Sequence, residues 1–208
     1  MPVSISRQNE IAIVTFDNPP VNALSQAVRA GLLAAVEELE GGASVAAVVM
    51  TCAGRTFIAG ADVKEFGKPP MEPHLPDVIN AIEGCSKPWV AALHGTALGG
   101  GLEVALGCRF RVMDPSSKVG LPEVTLGIIP GAGGTQRLPR LIGMDQAVEM
   151  TTGGKPVGAG RALELGLADA LVADDLTGEA VDFARGRLDD LPPRLCDRQI
   201  EQMPDEEA

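Results

Sequence analysis

The chain has 208 residues, 45% of them hydrophobic and 22% charged, with a formal net charge of −11 and no tyrosine. That length suits one domain with its own core, and the acidic balance (pI near 4.6) excludes non-specific binding to nucleic acid or a membrane surface, both of which need a basic face. Cys52, Cys85, Cys108 and Cys196 lack CxxC pairing or metal-ligand spacing, so they are read as reduced thiols serving as small hydrophobes, with no metal site.

Met1 to Glu10 holds no apolar stretch of the kind a secretory signal needs. No run approaches the roughly 20 apolar residues of a membrane helix. A cytoplasmic protein is expected. Ile11 to Phe16 reads as a strand, stopped by Asp17-Asn18-Pro19-Pro20. Ser25 then caps a helix in which Val28, Leu32, Ala35, Val36 and Leu39 recur at helical spacing down to Glu40, before Gly41-Gly42 ends it. Val45 to Thr51 is a continuous apolar run, as a strand buried on both faces requires. Asp62 is a candidate cap for Val63 to Phe66, and Pro69 to Pro76 reads as a loop.

Trp89 to Leu93 is a second buried strand, and after Gly99-Gly100-Gly101 come a short helix, Leu102 to Leu106, and a strand around Arg109 to Met113. Thr135 to Ile142, Asp145 to Thr151 and Ala159 to Leu165 are short helical segments bounded by glycine. Strands alternating with helices imply a layered α/β domain. From Asp189 the composition turns to Asp, Pro, Arg and Glu. Residues 1–188 are therefore expected to form the domain, and residues 189–208 a linker-like or disordered tail with too little apolar surface to offset the entropy of ordering. No internal repeat is visible.

Three places carry chemistry. In Gly99-Gly100-Gly101-Leu102-Glu103 the glycines allow close approach to the backbone, and the opening helix leaves N–H groups without internal partners at its positive end. Glu103 lies one turn on, and helical side chains lean toward the N-terminus, so its carboxylate is aimed back at those groups. In Gly120-Leu121-Pro122-Glu123 the proline fixes the turn and places Glu123 at a defined point in a loop. The stretch that follows, Leu126 to Arg137, is too glycine-rich and apolar for an ordinary surface loop and suits a narrow pocket or a subunit contact. Ala59-Gly60-Ala61-Asp62 offers a further exposed backbone, with Lys64 and Lys68 nearby as local positive charge. Two carboxylates and a set of free N–H groups are the parts needed to add water across a polarised double bond.

The order Asn18 to Leu24, Phe57 to Lys64, His94 to Glu103 and Gly120 to Arg137 resembles the crotonase, or enoyl-CoA hydratase/isomerase, superfamily over residues 3 to 188. Asn18-Pro-Pro-Val-Asn-Ala-Leu24 with Gly120 to Pro130 is similar to the hydratase part of bifunctional hydratase/3-hydroxyacyl-CoA dehydrogenases. The resemblance implies an α/β fold of repeated ββα turns in a spiral with flanking helices, here without the family's C-terminal helices. It implies an acyl-CoA thioester substrate, an oxyanion hole from the N–H groups of Ala61 and Gly100, and Glu103 and Glu123 as catalytic carboxylates. Ala59, Gly60, Asp62, Val63 and Lys64 match positions that hold coenzyme A, with Ala23, Leu24, Gly99 and Pro122 as further walls of the site.

On this resemblance the expected activity is syn hydration of 2-trans-enoyl-CoA in β-oxidation, with Glu103 as the main water activator and Glu123 as the main proton donor. Members that only shift double bonds typically keep just the carboxylate matching Glu123, so Δ3-Δ2-enoyl-CoA isomerisation is the second reading. A CoA-binding fragment, inactive without further helices, is the third. No cofactor is expected, since coenzyme A arrives on the substrate. No GxGxxG follows a strand, so no NAD site is expected, and Gly153-Gly154-Lys155-Pro156 lacks P-loop spacing. GxSxG is absent too, and His94, beside Gly95, reads as structural. The resemblance also implies either a homo-oligomer, a trimer or pair of trimers, or a dehydrogenase domain in a longer parent.

Overall fold

The computed structural model describes residues 2–200. Two strands open the chain, β1 (Val3–Gln8) and β2 (Ile11–Phe16), paired antiparallel from Val3 opposite Phe16 to Gln8 opposite Ile11. Helix α1 (Gln26–Glu40) follows, with the Ser25 hydroxyl accepting from the Val28 N–H. Next come β3 (Ala47–Cys52), α2 (Leu75–Gly84), β4 (Trp89–Leu93), β5 (Thr96–Leu98) and α3 (Gly100–Gly107). The second half contains β6 (Phe110–Met113), β7 (Lys118–Gly120), α4 (Gly134–Ile142), α5 (Met144–Gly153), β8 (Val157–Gly158), α6 (Ala159–Glu164), β9 (Ala170–Leu171) and α7 (Leu176–Gly186).

Six strands form the main sheet in the order β1-β2-β3-β4-β6-β9, with every pair after the first parallel. A smaller sheet, β5-β7-β8, grows beside it, and the bridges Ile58 to Ala97 and Leu24 to Ala61 continue that second layer. Successive turns of chain thus give one strand to the main sheet, a short extended piece to the small layer, and a helix. This is the ββα repeat that the resemblance implies.

The central strands β3, β4 and β6 are buried on both faces, which explains the continuous apolar runs of β3 and β4. Ala12, Val14, Phe16, Val48, Met50, Trp89 and Leu93 face the core that α1, α2 and α3 share. Ile11, Val49, Val90, Phe110 and Val112 face the opposite side, where α7 covers them with Ala180, Val181 and Ala184. Phe183 of α7 adds an edge-on contact to Phe110, ring centroids 5.3 Å apart. All eight residues of α3 are buried. A Cβ on Gly101 would run into the Ile58 carbonyl oxygen, so only glycine lets α3 lie against that strand end.

Three expectations need correction. The chain from Asp189 to residue 200 is no free linker: Leu195 is buried in the core cluster, Arg109 donates to the Pro192 carbonyl, and Arg140 donates to that of Arg198. The composition misled because these contacts use backbone carbonyls and one leucine rather than an apolar run; residues 201–208 of the expected tail lie outside the described residues. Pro69 to Pro76 is not all loop, since α2 begins at Leu75 with Pro76 in its first turn, where a missing N–H costs nothing. Of the cysteines, Cys52, Cys85 and Cys108 are buried as small hydrophobes should be, but Cys196 is exposed. No helix among the described residues is long and apolar enough to cross a membrane.

Candidate active site

The strand ends of the small layer gather three chain segments at one point. Leu24 N–H donates to the Gly60 carbonyl at 2.9 Å, Leu98 N–H to that of Ile58 at 3.1 Å, and Gly99 N–H to that of Gly120 at 2.9 Å. These bonds hold Ala59 to Ala61, the Gly99-Gly100 turn and the Gly120 to Glu123 turn side by side. Between them lies a cavity of about 420 Å³, and Ala59, Gly60, Ala61, Val63, Gly99, Gly100, Glu103, Pro122 and Glu123 all line it. Three of the four motifs, separated by tens of residues in the chain, therefore share one pocket.

Ala61 and Gly100 are neighbours across the cavity floor: a Cβ on Gly100 would sit 4.0 Å from the Ala61 nitrogen. Neither N–H donates to a carbonyl or side chain among the described residues. Unpaired N–H groups of this kind can hold a developing oxyanion. A Cβ at Gly100 would come 2.9 Å from Leu75 Cδ2 and 3.0 Å from Leu24 Cδ1, so a larger residue there requires those two side-chain ends to shift.

Glu103, in the first turn of α3, is buried, and its Oε1 accepts from the N–H groups of Ala132 and Gly134, both at 2.8 Å. Burial pushes its carboxyl above the usual glutamate range, against the opposing pull of those two N–H groups and of the Arg137 charge. Glu123 does not sit in an irregular loop but opens a 3-10 turn, Glu123–Leu126, directly after Pro122. Its Oε2 is buried with no partner among the described residues. Burial raises its carboxyl too, and the nearby Glu103 charge adds to the rise. Gly99 makes room for it: at φ +53° a Cβ there would lie 2.9 Å from Glu123 Oε1.

The remaining expected residues stand outside the cavity lining. Leu24 is buried behind Gly100. The Ala23 carbonyl accepts from Asn18 at 2.8 Å. Asp62 caps the 3-10 turn Val63–Glu65 by accepting from the Lys64 N–H at 3.0 Å, and Lys64 projects its side chain at the surface. His94 has a buried Nε2 without a partner among the described residues, and burial lowers its pKa; it takes no part in the cavity lining.

The sequence reading missed several contributors. The backbone of 132–134 clasps Glu103, although its glycine density had already marked it as pocket-like. Phe66, Leu75, Leu126, Ile128 and Ile129 supply the apolar walls, and Leu126 and Ile129 are 67% and 76% exposed at its rim. Their signal was present as large apolar side chains in segments otherwise built of glycine and proline.

Comparison with known proteins bears on the family of the chain. Residues 6–195 match the family model described as enoyl-CoA hydratase/isomerase. A peroxisomal bifunctional enzyme of Danio rerio is 46% identical over 177 residues, 85% of this chain and 25% of that protein. A probable enoyl-CoA hydratase of Bacillus subtilis (strain 168) is 39% identical over 180 residues, covering 83% of this chain and 70% of the other. The crystal structure of an enoyl-CoA hydratase from Bacillus anthracis superposes with a TM-score of 0.85 at 35% identity, over 89% of this chain and 76% of that one. The chain spans about a quarter of the length of the bifunctional relatives it matches. A cavity floored by two unpaired N–H groups and flanked by two buried glutamates, on a spiral of ββα turns that the family model covers almost end to end, places the chain in the enoyl-CoA hydratase/isomerase family.

Proposed function

We propose that this chain hydrates 2-trans-enoyl-CoA thioesters to 3-hydroxyacyl-CoA in β-oxidation. The observation that carries the reading is the pair of buried carboxylates, Glu103 and Glu123, lining one cavity with the free N–H groups of Ala61 and Gly100. The thioester oxygen accepts from those two N–H groups, which draws electron density from the double bond and leaves C3 electrophilic. Glu103 takes a proton from water as the water oxygen bonds to C3, and the resulting enolate charge rests on the oxyanion hole. Glu123 gives a proton to C2. Water's elements have then been added on one face, and the proton held by Glu103 returns to Glu123 as the product leaves.

The environments support that division. Burial raises both carboxyls, but at Glu103 the two loop N–H groups on Oε1 and the Arg137 charge pull toward the ionised form, leaving Oε2 for water. Glu123 is raised by burial and by the Glu103 charge and has no hydrogen bond to Oε2 among the described residues, so it favours the protonated form. The CoA moiety is assigned to Ala59, Gly60, Asp62, Val63 and Lys64, with Ala23, Leu24, Gly99 and Pro122 supporting them. No cofactor enters the reaction.

The bifunctional relatives support a longer parent in which a dehydrogenase domain consumes the 3-hydroxyacyl product, and an intact-mass measurement of the natural gene product tests this. The family's trimeric habit is the alternative arrangement, read out by sedimentation. Composition supports a cytoplasmic location, whereas the names of the animal relatives place those proteins in the peroxisome; fractionation of the source cells separates the two.

The deciding assay is loss of enoyl absorbance from crotonyl-CoA with the parent chain, Glu103→Ala and Glu123→Ala. Activity in the parent and its loss in both variants is expected. Isomerisation through Glu123 alone draws on its unpartnered Oε2, and turnover of 3-enoyl-CoA surviving in Glu103→Ala would favour it. CoA binding without any turnover by the parent would leave the binding-fragment reading.

A further inference from the structure

We infer that Arg137 is the positioning residue for Glu103: clamped between Glu83 and Asn80, its guanidinium holds the loop whose N–H groups carry the Glu103 carboxylate. The inference rests on the hydratase reading insofar as Glu103 is the water activator. Arg137 stands in the first turn of α4, and its own N–H donates to the Gly133 carbonyl at 2.9 Å. Its Nη1 donates to the Ala132 carbonyl at 3.3 Å. On the other side, Nε and Nη2 donate to Glu83 Oε2 at 3.0 and 2.8 Å, and Nη2 donates to Asn80 Oδ1 at 2.8 Å. The second oxygen of Glu83 accepts from the Cys196 N–H at 2.9 Å.

One buried ion pair therefore ties together α2, α4 and the 195–197 turn, with 8% and 6% of the two side chains exposed. Its output is the position of residues 132–134. Ala132 presents its carbonyl to Arg137 and its N–H to Glu103, so the peptide groups on either side of this residue link the guanidinium to the carboxylate. A buried pair of this kind adds little net stability over an apolar pair of the same volume. What it does supply is a rigid fork with fixed donor directions. The charge acts in the same sense, because Arg137 opposes the upward push of burial on Glu103. The groups that bear on Glu103 are then the N–H groups of 132 and 134 and the Arg137 charge, while Glu103 in turn raises the Glu123 carboxyl facing it from the neighbouring 3-10 turn.

The test compares the parent chain with Arg137→Met and Arg137→Lys in three measurements: amide exchange of Ala132 and Gly134, the Glu103 titration midpoint by carboxyl-carbon NMR, and crotonyl-CoA kinetics. In Arg137→Met the two amides should exchange at least about tenfold faster while those of β3 are unchanged. The Glu103 midpoint should rise, and kcat should fall about 100-fold with KM changed less than about twofold. Arg137→Lys should restore the midpoint but not the exchange protection or kcat, since lysine carries the charge without the fork. Wild-type exchange of both amides in the variants would overturn the inference. Equal changes in kcat and KM would overturn it as well. Should Arg137→Met fail to fold, the exchange rates in Arg137→Lys decide alone. A parent chain without hydratase activity would defeat the functional reading, and amide exchange and titration would still decide this one.

Discussion

Gly134 both holds Glu103 and limits it: its N–H donates to Glu103 Oε1 at 2.8 Å, and a Cβ on the same residue would lie 3.0 Å from that oxygen and 3.1 Å from Glu103 Cγ. The carboxylate is seated against bare backbone. Gly134→Ala should make the carboxylate give by a few tenths of an ångström; since a misplacement of about 1 Å costs about 100-fold, a fall of about tenfold in turnover is expected. Steady-state kinetics should show the loss in kcat with the thermal midpoint nearly unchanged.

Glu103→Gln is a cleaner probe of chemistry than of structure. A glutamine oxygen still accepts from Ala132 and Gly134, so the loop keeps its place, but the amide cannot take a proton from water. Loss of general base catalysis predicts a fall in kcat of about 100- to 10,000-fold. An unaltered circular dichroism spectrum alongside intact rates would remove Glu103 from the reaction.

Glu123→Gln should stabilise the domain while impairing it. Burial raises the folded pKa of Glu123, so its cost to the fold is absent below the unfolded value and grows as pH rises through the folded one. The variant should therefore melt higher than the parent at neutral pH, each 1 kcal/mol of relief adding about 2–4 °C. That advantage should vanish in acid, and scanning calorimetry at two pH values would show it.

The pH profile of kcat/KM should be a bell whose acidic limb lies above the ordinary glutamate range. The proposed mechanism needs Glu103 ionised, and its pKa is raised by burial; it needs Glu123 protonated, and its pKa is raised by burial and by Glu103. Two carboxyls this close titrate as a pair. The limbs should merge into one when either glutamate is replaced.

Arg29 should matter to substrate affinity without touching the cavity. Its guanidinium donates to the carbonyls of Leu24, Met71 and Pro73 and to Glu65 Oε2, drawing the 59–74 segment onto α1. Arg29→Met would leave those acceptors unpaired, at about 1–3 kcal/mol for a buried group. A lower thermal midpoint and a higher KM for the CoA thioester are expected, with kcat reduced less than KM is raised.

Much of the fold was legible because burial leaves a pattern. Strands β2, β3 and β4 are apolar on both faces, and Ser25 with its periodic leucines and valines marks α1 to within a residue. Helix α7 escaped because the face it buries is Ala180, Val181 and Ala184, too small to raise a stripe above its charged neighbours. Strands β5, β7, β8 and β9 are two or three residues long and exist through their pairings alone. The repeat itself is invisible in the residues, since it lies in chain path rather than in side-chain identity.

The residues themselves determined which groups this chain can bring to a reaction: the two glutamates, the glycine turns beside them, and the apolar strands that bury the sheet. Tertiary structure decided that Glu103 and Glu123 share a cavity, that Ala61 meets Gly100 beneath it, and that 132–134 and Arg137 fix one carboxylate while Oε2 of Glu123 is left without a partner among the described residues. Those relationships join positions tens of residues apart. Local propensity cannot encode them, because they arise only when the spiral stacks its turns and forces distant backbone groups to satisfy, or to leave open, one another's hydrogen bonds.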